Sequence, residues 1–444
     1  MSAFAAVRAA LEAGADPVDL ALDARRRAAE VEGVFTALCP PEVIAARAAA
    51  ASAQARAGKP TPLLGLTFSV KDNIHVAGMA TTLNCPGFAI HPDESAQVVL
   101  KLEAAGAVLI GKNTMDQFAT GLNGTRSPEP LCRNAIDPAY IPGGSSSGSA
   151  VAVARDIVSF ALGSDTGGSG RVPAACNGIV GLKPTIGLVS GRGTVYNSRF
   201  LDCVPVFTRR CADANEILRI IAGYDSRDPC SRRDADDITL APAAPSSRRI
   251  AVPRAGQMNF FGDDAAQAAF AANIASLRAL GFETAEIDFA PFEEAGRLVF
   301  LSAMVAERLV DYGDFVATHR DAIHPVVLAA IEPGEAYSAR DAFAAVYRMQ
   351  ALQRVAQDVL SPFAALAVPT VPTVFTIADM LAEPVARNAI MGTYTYFVNP
   401  LDLCALSVPG AALPNGLVSG LCLVGLAGRD GEIAGLAEMF EGAA

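Results

Sequence analysis

The sequence predicts an α/β protein whose mixed, mostly parallel central sheet is covered by helices on both faces. Three observations support this class: short apolar runs alternate with helical patterns, the chain has 444 residues, and 51% of them are hydrophobic. Alternating strands and helices favour parallel pairing, because each helix can then pack back onto the sheet. The charged fraction of 18% is too low for a disordered chain.

We expect a single domain over residues 1–444, beginning with N-terminal helices at about 1–60. The core of the domain follows at 61–240. Within it, the apolar runs 63–70 and 107–111 have the length and bulk of buried strands.

Helical patterns occupy two further stretches. Residues 95–106 predict a helix that begins after a serine cap and stops at a glycine. Residues 264–361 are nearly all helical in pattern, which predicts a helical insertion that closes over the sheet. The chain then returns to the sheet over 362–444, with a strand pattern at 366–374 and buried strands and turns at 401–428.

The charge of the chain limits its partners. The net charge is −11, whereas nucleic acid and anionic membrane surfaces need clustered Lys or Arg. No stretch of about 18 apolar residues runs without a charge or a Gly or Pro break, so no membrane span is predicted. We therefore expect a small-molecule substrate and water as partners, with no nucleic acid and no membrane. A homodimer stays open.

The cysteines and histidines predict neither disulfides nor a metal site. The nine cysteines show no paired or regular spacing, and none of the four histidines has the spacing of metal ligands. The first 17 residues form an amphipathic pattern without the apolar region of a secretion signal. We therefore expect a cytoplasmic protein with reduced thiols, no metal and no cofactor.

Three short segments carry the residues that suggest chemistry: SVKDN at 69–73, GGSSSG at 143–148 and GSDTGGSGRVPAA at 163–175. In the first segment, Lys71 directly follows an apolar strand pattern. Burial disfavours the ammonium form, so such a lysine can act as a neutral base. In the other two, glycines let backbone N–H groups approach a substrate oxygen closely. The candidate donors around a nucleophile are the N–H groups of Thr166, Gly167, Gly168 and Ser169.

Two other motifs suggest different enzymes. The run GSSSG at 144–148 fits the G-x-S-x-G elbow of α/β-hydrolases, with Ser146 as the nucleophile. The base would then be His319 or His324, but the segment before the run contains two prolines and predicts no strong strand. The run 106–113 is similar to a phosphate-binding loop, although it lacks the Ser or Thr that would bind magnesium. Both alternatives stay open.

Together, the three segments closely resemble the amidase signature family, whose hallmark is a Ser-cisSer-Lys triad. The runs GKNTMDQFATG and NGIVGLKPTIGLVS extend the match, which covers about residues 64–426. The resemblance implies that Ser169 is the nucleophile, Ser145 the bridging serine and Lys71 the base. It also implies the amidase signature fold for the single domain, a serine amidohydrolase activity, and a cis peptide bond between Gly144 and Ser145.

The mechanism implied by the resemblance passes through an acyl-enzyme. The lysine accepts the proton of the nucleophile through the bridging serine, and the N–H groups of residues 166–169 hold the oxyanion. Asp165 and Arg171 bracket this turn. For them we expect a structural ion pair that holds the loop.

Several runs, among them TLNCPGFA, MVAERL and GTYTYFVNPLDLCALSVP, resemble the allophanate hydrolase branch of this family, which cleaves a carboxylated urea. In that branch an arginine and a tyrosine hold the substrate carboxylate. Arg308 matches the arginine, but Phe300 stands at the position of the tyrosine. We therefore expect a urethanase-type hydrolase of amides, ureas or carbamates, with allophanate hydrolase proper as the alternative. The remaining candidate substrate contacts are Met115 and Met304, as an apolar wall with Phe300, and Arg209, at the pocket entrance.

Overall fold

The computed structural model describes residues 3–443, and in this part of the chain eleven strands form one sheet. The strands are β1 (Phe35–Leu38), β2 (Thr67–Lys71), β3 (Val108–Asn113), β4 (Phe160–Leu162), β5 (Val180–Lys183), β6 (Val206–Thr208), β7 (Arg249–Pro253), β8 (Glu283–Ile287), β9 (Ala365–Pro369), β10 (Leu403–Ala412) and β11 (Val418–Leu426). Their order in the sheet is β1-β3-β2-β4-β6-β5-β10-β11-β9-β7-β8.

The helices of the described chain follow the same numbering. They are α1 (Ala3–Glu12), α2 (Pro17–Ala29), α3 (Pro41–Arg56), α4 (Gln97–Ala104), α5 (Ser147–Ala154), α6 (Val172–Cys176), α7 (Cys211–Ile221), α8 (Asp264–Ala279), α9 (Ala290–Leu301), α10 (Arg308–Thr318), α11 (Pro325–Ile331), α12 (Ala339–Leu360), α13 (Ile377–Ala382), α14 (Ala386–Met391) and α15 (Asp430–Glu441). Short 3₁₀ helices lie at Gln117–Ala119, Ala235–Asp237, Ala255–Gln257, Ala303–Glu307, Arg320–Ala322 and Glu332–Ala336. No helix within residues 3–443 is long and apolar enough to cross a membrane.

The sheet is mixed, as predicted. Strand β2 pairs in parallel with β3 and β4, and β7 pairs in parallel with β8 and β9. Antiparallel pairs join these two groups, including the β10–β11 hairpin in the middle of the sheet. Strand β1 pairs antiparallel with β3 at one edge.

Helices cover both faces of the sheet. Successive residues of a strand point to opposite faces, so alternate residues pack against different helices. On β10, Cys404 and Leu406 pack into one buried apolar cluster, and Leu403 and Ala405 pack into another. The first cluster includes residues of α7, α8 and α15, and the second includes residues of α9 and α12. The predicted α/β class is therefore confirmed.

The strand patterns read from the sequence correspond to observed strands. The runs 63–70 and 107–111 contain most of β2 and β3, and the run 366–374 begins within β9. The stretch 401–428 forms the β10–β11 hairpin. In each case a continuous apolar run marks a strand that is buried on both faces.

The helix predicted at 95–106 is present as α4, but its predicted cap is wrong. The helix begins at Gln97, and no side chain caps its N-terminus. The hydroxyl of Ser95 instead accepts a hydrogen bond from the N–H of Ala77, at 2.9 Å. A contact distant in sequence has taken the hydroxyl that the local pattern assigned to the helix.

Two strands lie where the sequence predicts helices. Strand β8 interrupts the stretch 264–361, and β1 lies within the N-terminal stretch 1–60. Both strands are at the edges of the sheet, so each has one neighbour and carries no continuous apolar run. Residues 1, 2 and 444 of the predicted segments lie outside the described residues.

The topology brings the segments with candidate catalytic residues to the carboxyl ends of two neighbouring inner strands. Strands β2 and β4 are parallel neighbours, with Val70 opposite Leu162. Their carboxyl ends therefore lie side by side, so Lys71 comes next to the turn that begins at Gly163. The GGSSSG segment ends in α5, which contacts both β2 and β4.

Candidate active site

Lys71 is the last residue of β2 and is fully buried. Its Nζ donates hydrogen bonds to the hydroxyl oxygens of Ser145, at 2.7 Å, and Ser164, at 2.8 Å. Burial lowers the pKa of Lys71 to about 7, although three nearby aspartates act in the opposite direction. A large fraction of this lysine is therefore neutral near pH 7 and able to accept a proton.

A chain of hydroxyl groups leads from this lysine to the cavity. The hydroxyl of Ser145 donates to Oγ of Ser169 at 3.0 Å. The Gly144–Ser145 peptide bond is cis, as the family resemblance implies. The structure thus brings together Lys71, Ser145 and Ser169, the three residues that the sequence singled out as a triad.

The turn that carries Ser169 is built around a buried ion pair. The carboxylate of Asp165 accepts hydrogen bonds from Nε and Nη2 of Arg171 at 3.0 and 2.9 Å. Arg171 also donates to the Asn399 side chain at 2.9 Å. Burial opposes ionisation of Asp165, but the charge of Arg171 prevails and holds the pKa of this carboxyl below its ordinary value. The expected ion pair is therefore present, and its geometry fits a structural role.

One of the four predicted oxyanion donors, the N–H of Gly168, is wrong, because it is bonded to the Asp165 carboxylate. The N–H of Gly168 already donates to Asp165 at 2.8 Å, so it does not face a substrate. Gly168 has a φ of +136°, and a Cβ at this position would collide with the hydroxyl of Thr395. Its glycine is needed for the turn and for close packing.

The other three predicted donors remain available. Within residues 3–443, the backbone N–H groups of Thr166, Gly167 and Ser169 make no hydrogen bond. All three residues line the cavity in front of Ser169. The turn can therefore present three N–H groups to an oxygen atom of a bound substrate.

This cavity has a volume of about 640 Å³. Polar and aromatic side chains both line it, and the rings of Phe300 and Tyr396 lie beside Gly167, two residues from Ser169. The polar lining includes Thr166, Asn197, Arg126, Arg308 and Asn388. The aromatic lining includes Phe289, Phe292, Phe300, Tyr394, Tyr396 and Phe397. Exposed apolar side chains mark the mouth: Phe261, Leu301, Tyr337 and Val385.

Two of the predicted substrate contacts lie in this cavity. The ring of Phe300 packs against Tyr396, with centroids 4.2 Å apart, and also lies close to Gly167 of the turn that carries Ser169. The guanidinium of Arg308 sits over the Phe300 ring at 5.5 Å from its centroid. Arg308 is 5% exposed, and its Nε donates to Oδ1 of Asn197 at 3.0 Å. Burial lowers the pKa of Arg308.

Three predicted contacts do not line the cavity. Met115 is fully buried in an apolar cluster with Phe118, and Met304 packs beside the core cluster of α9 and α12. Arg209 lies on the surface and forms an ion pair with Asp156 at 2.6 Å. The predictions for these three were wrong because proximity to a motif in sequence does not determine which way a side chain points.

Sequence reasoning missed several residues of the site. Ser164 contacts Lys71 directly, and the only signal for it was its place in the GSDTGGS run. Arg126 lines the cavity without belonging to a motif, and Tyr396, also in the lining, lies in the run GTYTYFVNPLDLCALSVP but was not singled out there. Asp202 accepts a hydrogen bond from Thr166 at 2.6 Å, and nothing in the sequence connects these two residues.

The two alternative motifs are not supported by the geometry. The hydroxyl of Ser146 donates to the carbonyl of Ser164 at 3.2 Å. His319 stacks on Phe315, and His324 caps α11, so neither histidine contacts Ser146. The run 106–113 is a strand rather than a loop, because β3 occupies most of it. Among residues 3–443, no group of three or more His, Cys, Asp or Glu side chains is arranged to hold a metal ion.

Comparison with known sequences gives a consistent picture. The model of the family described as Amidase matches residues 19–434. The chain is 38% identical over 381 residues to the urea amidolyase of Saccharomyces cerevisiae, which covers 85% of this chain and 21% of that protein. It thus spans about a fifth of the length of the urea amidolyase. It is 35% identical over 413 residues to one subunit of the glutamyl-tRNA(Gln) amidotransferase of Azoarcus sp., covering 86% of this chain and 84% of that protein.

Solved structures agree with these sequences. The allophanate hydrolase of Kluyveromyces lactis has a TM-score of 0.90 and 34% identity, and the match covers 98% of this chain and 72% of that one. A crystal structure described as an amidase has a TM-score of 0.84 and 30% identity, covering 100% of this chain and 99% of that one.

The buried Asp165–Arg171 pair generates a stability prediction. We expect Arg171→Met to lower the free energy of unfolding by about 3–5 kcal/mol, because it leaves a buried carboxylate without its ion partner. Chemical denaturation of the purified variant measures this loss. Arg26→Met is the control: it removes an exposed pair with Asp23 and should change stability little. Equal unfolding midpoints for the two variants would contradict the role assigned to Arg171.

Proposed function

Because the chain belongs to the amidase family, we propose that it hydrolyses small amides, ureas or carbamates through an acyl-enzyme on Ser169. Family and fold together make it an enzyme that hydrolyses C–N bonds. The observation that carries the finer proposal is the unbroken chain of hydrogen bonds from Lys71 through Ser145 to Ser169, at the end of a cavity. The proposal requires substrate and water, without metal or cofactor.

The first half of the reaction forms the acyl-enzyme. The two serine hydroxyls can rotate so that Ser169 donates to Ser145 and Ser145 donates to neutral Lys71. Lys71 then takes a proton from Ser145, which in turn takes the proton of Ser169. The oxygen of Ser169 attacks the substrate carbonyl carbon, and the carbonyl oxygen becomes an oxyanion. The N–H groups of Thr166, Gly167 and Ser169 stabilise it. Removing one such donor typically costs about 10²–10³ in rate.

The second half releases the products. When the tetrahedral intermediate collapses, the C–N bond breaks and the leaving nitrogen takes the proton back along the same relay. A water molecule then replaces the amine. Lys71 accepts its proton through Ser145, and the hydroxide attacks the acyl carbon. When the bond from this carbon to Oγ of Ser169 breaks, the proton returns from Lys71 through Ser145 to Oγ, which restores the free enzyme.

The cavity supports a substrate with an aryl or alkyl group. Its volume of about 640 Å³ far exceeds what a carboxylated urea fills, and much of its lining is aromatic. A carbamate ester offers the same planar carbonyl centre as a urea. Phe300, beside Gly167, adds apolar surface close to the reacting carbon. These features favour aryl amides and aryl carbamates, that is, an amidase and urethanase activity.

Allophanate hydrolase proper is the second candidate. Arg308 in the cavity and the similarity to the K. lactis allophanate hydrolase favour it. The two candidates share the triad and the oxyanion donors. They differ in what the rest of the cavity recognises, an acid or an apolar group.

The relay predicts a graded set of losses. We expect Ser169→Ala to abolish turnover and Lys71→Ala nearly to do so, because they remove the nucleophile and the base. Ser146→Ala is the matched control: it removes a neighbouring buried hydroxyl that donates to the Ser164 carbonyl and not to Lys71 or Ser169, and its effect should be mild. Steady-state rates on an aryl amide measure all three. Equal losses at Ser146 and Ser169 would overturn the assignment of the relay.

The ionisation of Lys71 predicts the pH dependence. The neutral amine is the active form, and burial brings its pKa to about 7. Activity should therefore rise as pH rises through 7, by about tenfold per pH unit on the acid side. Values of kcat/KM, obtained from initial rates at a series of pH values, measure this rise, which is the acid limb of the pH profile. Added chelator should leave these values unchanged. A rate that is flat across neutral pH, or one lost with chelator, would contradict the mechanism.

The cavity lining predicts the substrate preference. We expect a higher kcat/KM for aryl carbamates and aryl amides than for allophanate, because an apolar group gains about 25 cal/mol per Å² buried. Phe300→Tyr should shift the ratio toward allophanate by adding a hydroxyl beside Arg308. Phe343→Tyr, on the exposed face of α12, is the control and should leave the ratio unchanged. Fast allophanate turnover with no activity on aryl substrates would establish the second candidate.

A further inference from the structure

The carboxylate of Asp202 is the centre of a network that the proposed mechanism does not use. Asp202 lies between β5 and β6 and is buried. It accepts hydrogen bonds from the Thr166 hydroxyl at 2.6 Å, the Asn197 N–H at 2.7 Å and the Ser198 N–H at 3.2 Å. Thr166 belongs to the turn that carries Ser169, so this carboxylate contacts the turn from outside.

The backbone fixes Asp202 next to this turn. Asp165 and Cys203 form an antiparallel bridge with N–H to oxygen distances of 3.0 and 3.1 Å. The bridge leaves Asp202 alongside Thr166. The turn is therefore held by two carboxylates: Asp165 takes the N–H groups of Gly168 and Gly170 at 2.8 and 2.9 Å, and Asp202 takes the Thr166 hydroxyl.

A second arm of the network reaches the arginine of the cavity. The N–H of Asn197 is held by Asp202, and its side-chain oxygen accepts from Nε of Arg308 at 3.0 Å. The side-chain amide of Asn197 also donates to the carbonyl of Phe118 at 3.0 Å. One residue thus separates Asp202 from Arg308. A displacement of the carboxylate would move both the turn and the arginine.

Asp202 also acts on Lys71 through its charge. Three aspartates raise the pKa of Lys71 against the effect of burial, and Asp202 has the largest effect of the three. Burial raises the pKa of Asp202 itself to about 7, while its hydrogen bonds favour the carboxylate. The titratable groups that act on these two residues are Asp116, Asp165, Tyr196, Glu307, Arg308 and Tyr312.

We propose that Asp202 is a positioning residue, which holds the oxyanion turn through Thr166 and Arg308 through Asn197, and whose charge acts on Lys71. This inference rests on the proposed function, since it assumes that the turn stabilises an oxyanion and that Lys71 is the base. Asp202 does not line the cavity and touches no substrate. It acts only through Thr166, through Arg308 by way of Asn197, and through the effect of its charge on Lys71.

The first experiment replaces the charge with Asp202→Asn. On an aryl amide, kcat should fall by about 10–100-fold, because the amide cannot accept all three hydrogen bonds and the oxyanion donors shift. The acid limb of kcat/KM should move to lower pH, because the loss of a nearby negative charge lowers the pKa of Lys71 further. Asp202→Glu keeps the charge and should restore the limb to its original pH.

Asp430→Asn is the matched control. Asp430 is also buried and also accepts hydrogen bonds from a threonine, the Thr185 N–H at 2.8 Å and its hydroxyl at 2.6 Å, but it does not line or contact the cavity. This variant should lose stability while kcat and the acid limb stay unchanged. If Asp202→Asn behaves in the same way as Asp430→Asn, its role is structural and the proposal is overturned.

A second variant tests the contact from the other side, and it decides the matter if Asp202→Asn does not fold. Thr166→Val removes the hydroxyl and keeps the carboxylate, so kcat should fall about tenfold or more without movement of the acid limb. Thr166→Ser keeps the hydroxyl and should recover most of the rate. In a double variant, the losses at the two positions should not add. A wild-type kcat for Thr166→Val would overturn the proposal.

Ser169→Ala, measured in the same assays, separates the two levels of inference. If it retains turnover, the proposed function is wrong, whatever Asp202 does. If it is inactive while Asp202→Asn and Thr166→Val keep wild-type kcat and an unshifted acid limb, the proposed function stands and the role of Asp202 is overturned.

Discussion

The site depends on one constraint: a lysine is buried with hydroxyl partners instead of a carboxylate. Lys112 shows the contrast, because it lies opposite Val70 on the adjacent strand β3 and is equally buried. Burial lowers the pKa of Lys112 as well, but its Nζ forms an ion pair with Asp72 at 3.1 Å, which favours the charged form. Among the described residues, no carboxylate makes such a contact with Lys71. The Nζ of Lys71 contacts two serine hydroxyls, which stabilise an ammonium far less than a carboxylate does. Lys71 can therefore lose and regain its proton.

That constraint explains the glycines on either side. Two hydroxyl-bearing turns must approach the end of β2 closely enough for contacts below 3 Å. A Cβ on Gly163 would lie 2.6 Å from the Ser146 hydroxyl, and one on Gly144 would collide with the Asp116 carboxylate. The turns can close on Lys71 only because these positions carry no side chain. The turn that carries Ser169 is held by the buried ion pair of Asp165 and Arg171. Neither residue of this pair contacts the lysine.

The sequence was sufficient where residue type and local spacing determine the chemistry, and insufficient where tertiary contacts do. Buried strands follow from apolar runs, whereas the edge strands β1 and β8 carry none. The lysine and the two serines are brought together as the motifs predict. Spacing could not tell that the Gly168 N–H is taken by Asp165 or that Met115 points into a separate apolar cluster. No spacing in the sequence connects Asp202 to Thr166, because their contact depends on a bridge between Asp165 and Cys203, 38 residues apart.

The arginines of the cavity bear on what it accepts. A guanidinium that has no protein partners favours an acidic ligand, because a neutral ligand would leave it unpaired. Here Arg308 already donates to Asn197 and to the Ala330 carbonyl and lies over the Phe300 ring. Arg126 donates to the carbonyls of Thr120 and Pro384. Among the described residues these acceptors are all neutral, neither guanidinium forms an ion pair, and Nε of Arg126 has no hydrogen-bond partner. A neutral aryl substrate can occupy the cavity while the other N–H groups keep their acceptors, and Nη2 of Arg308 and Nε of Arg126 are still free to bind an acid.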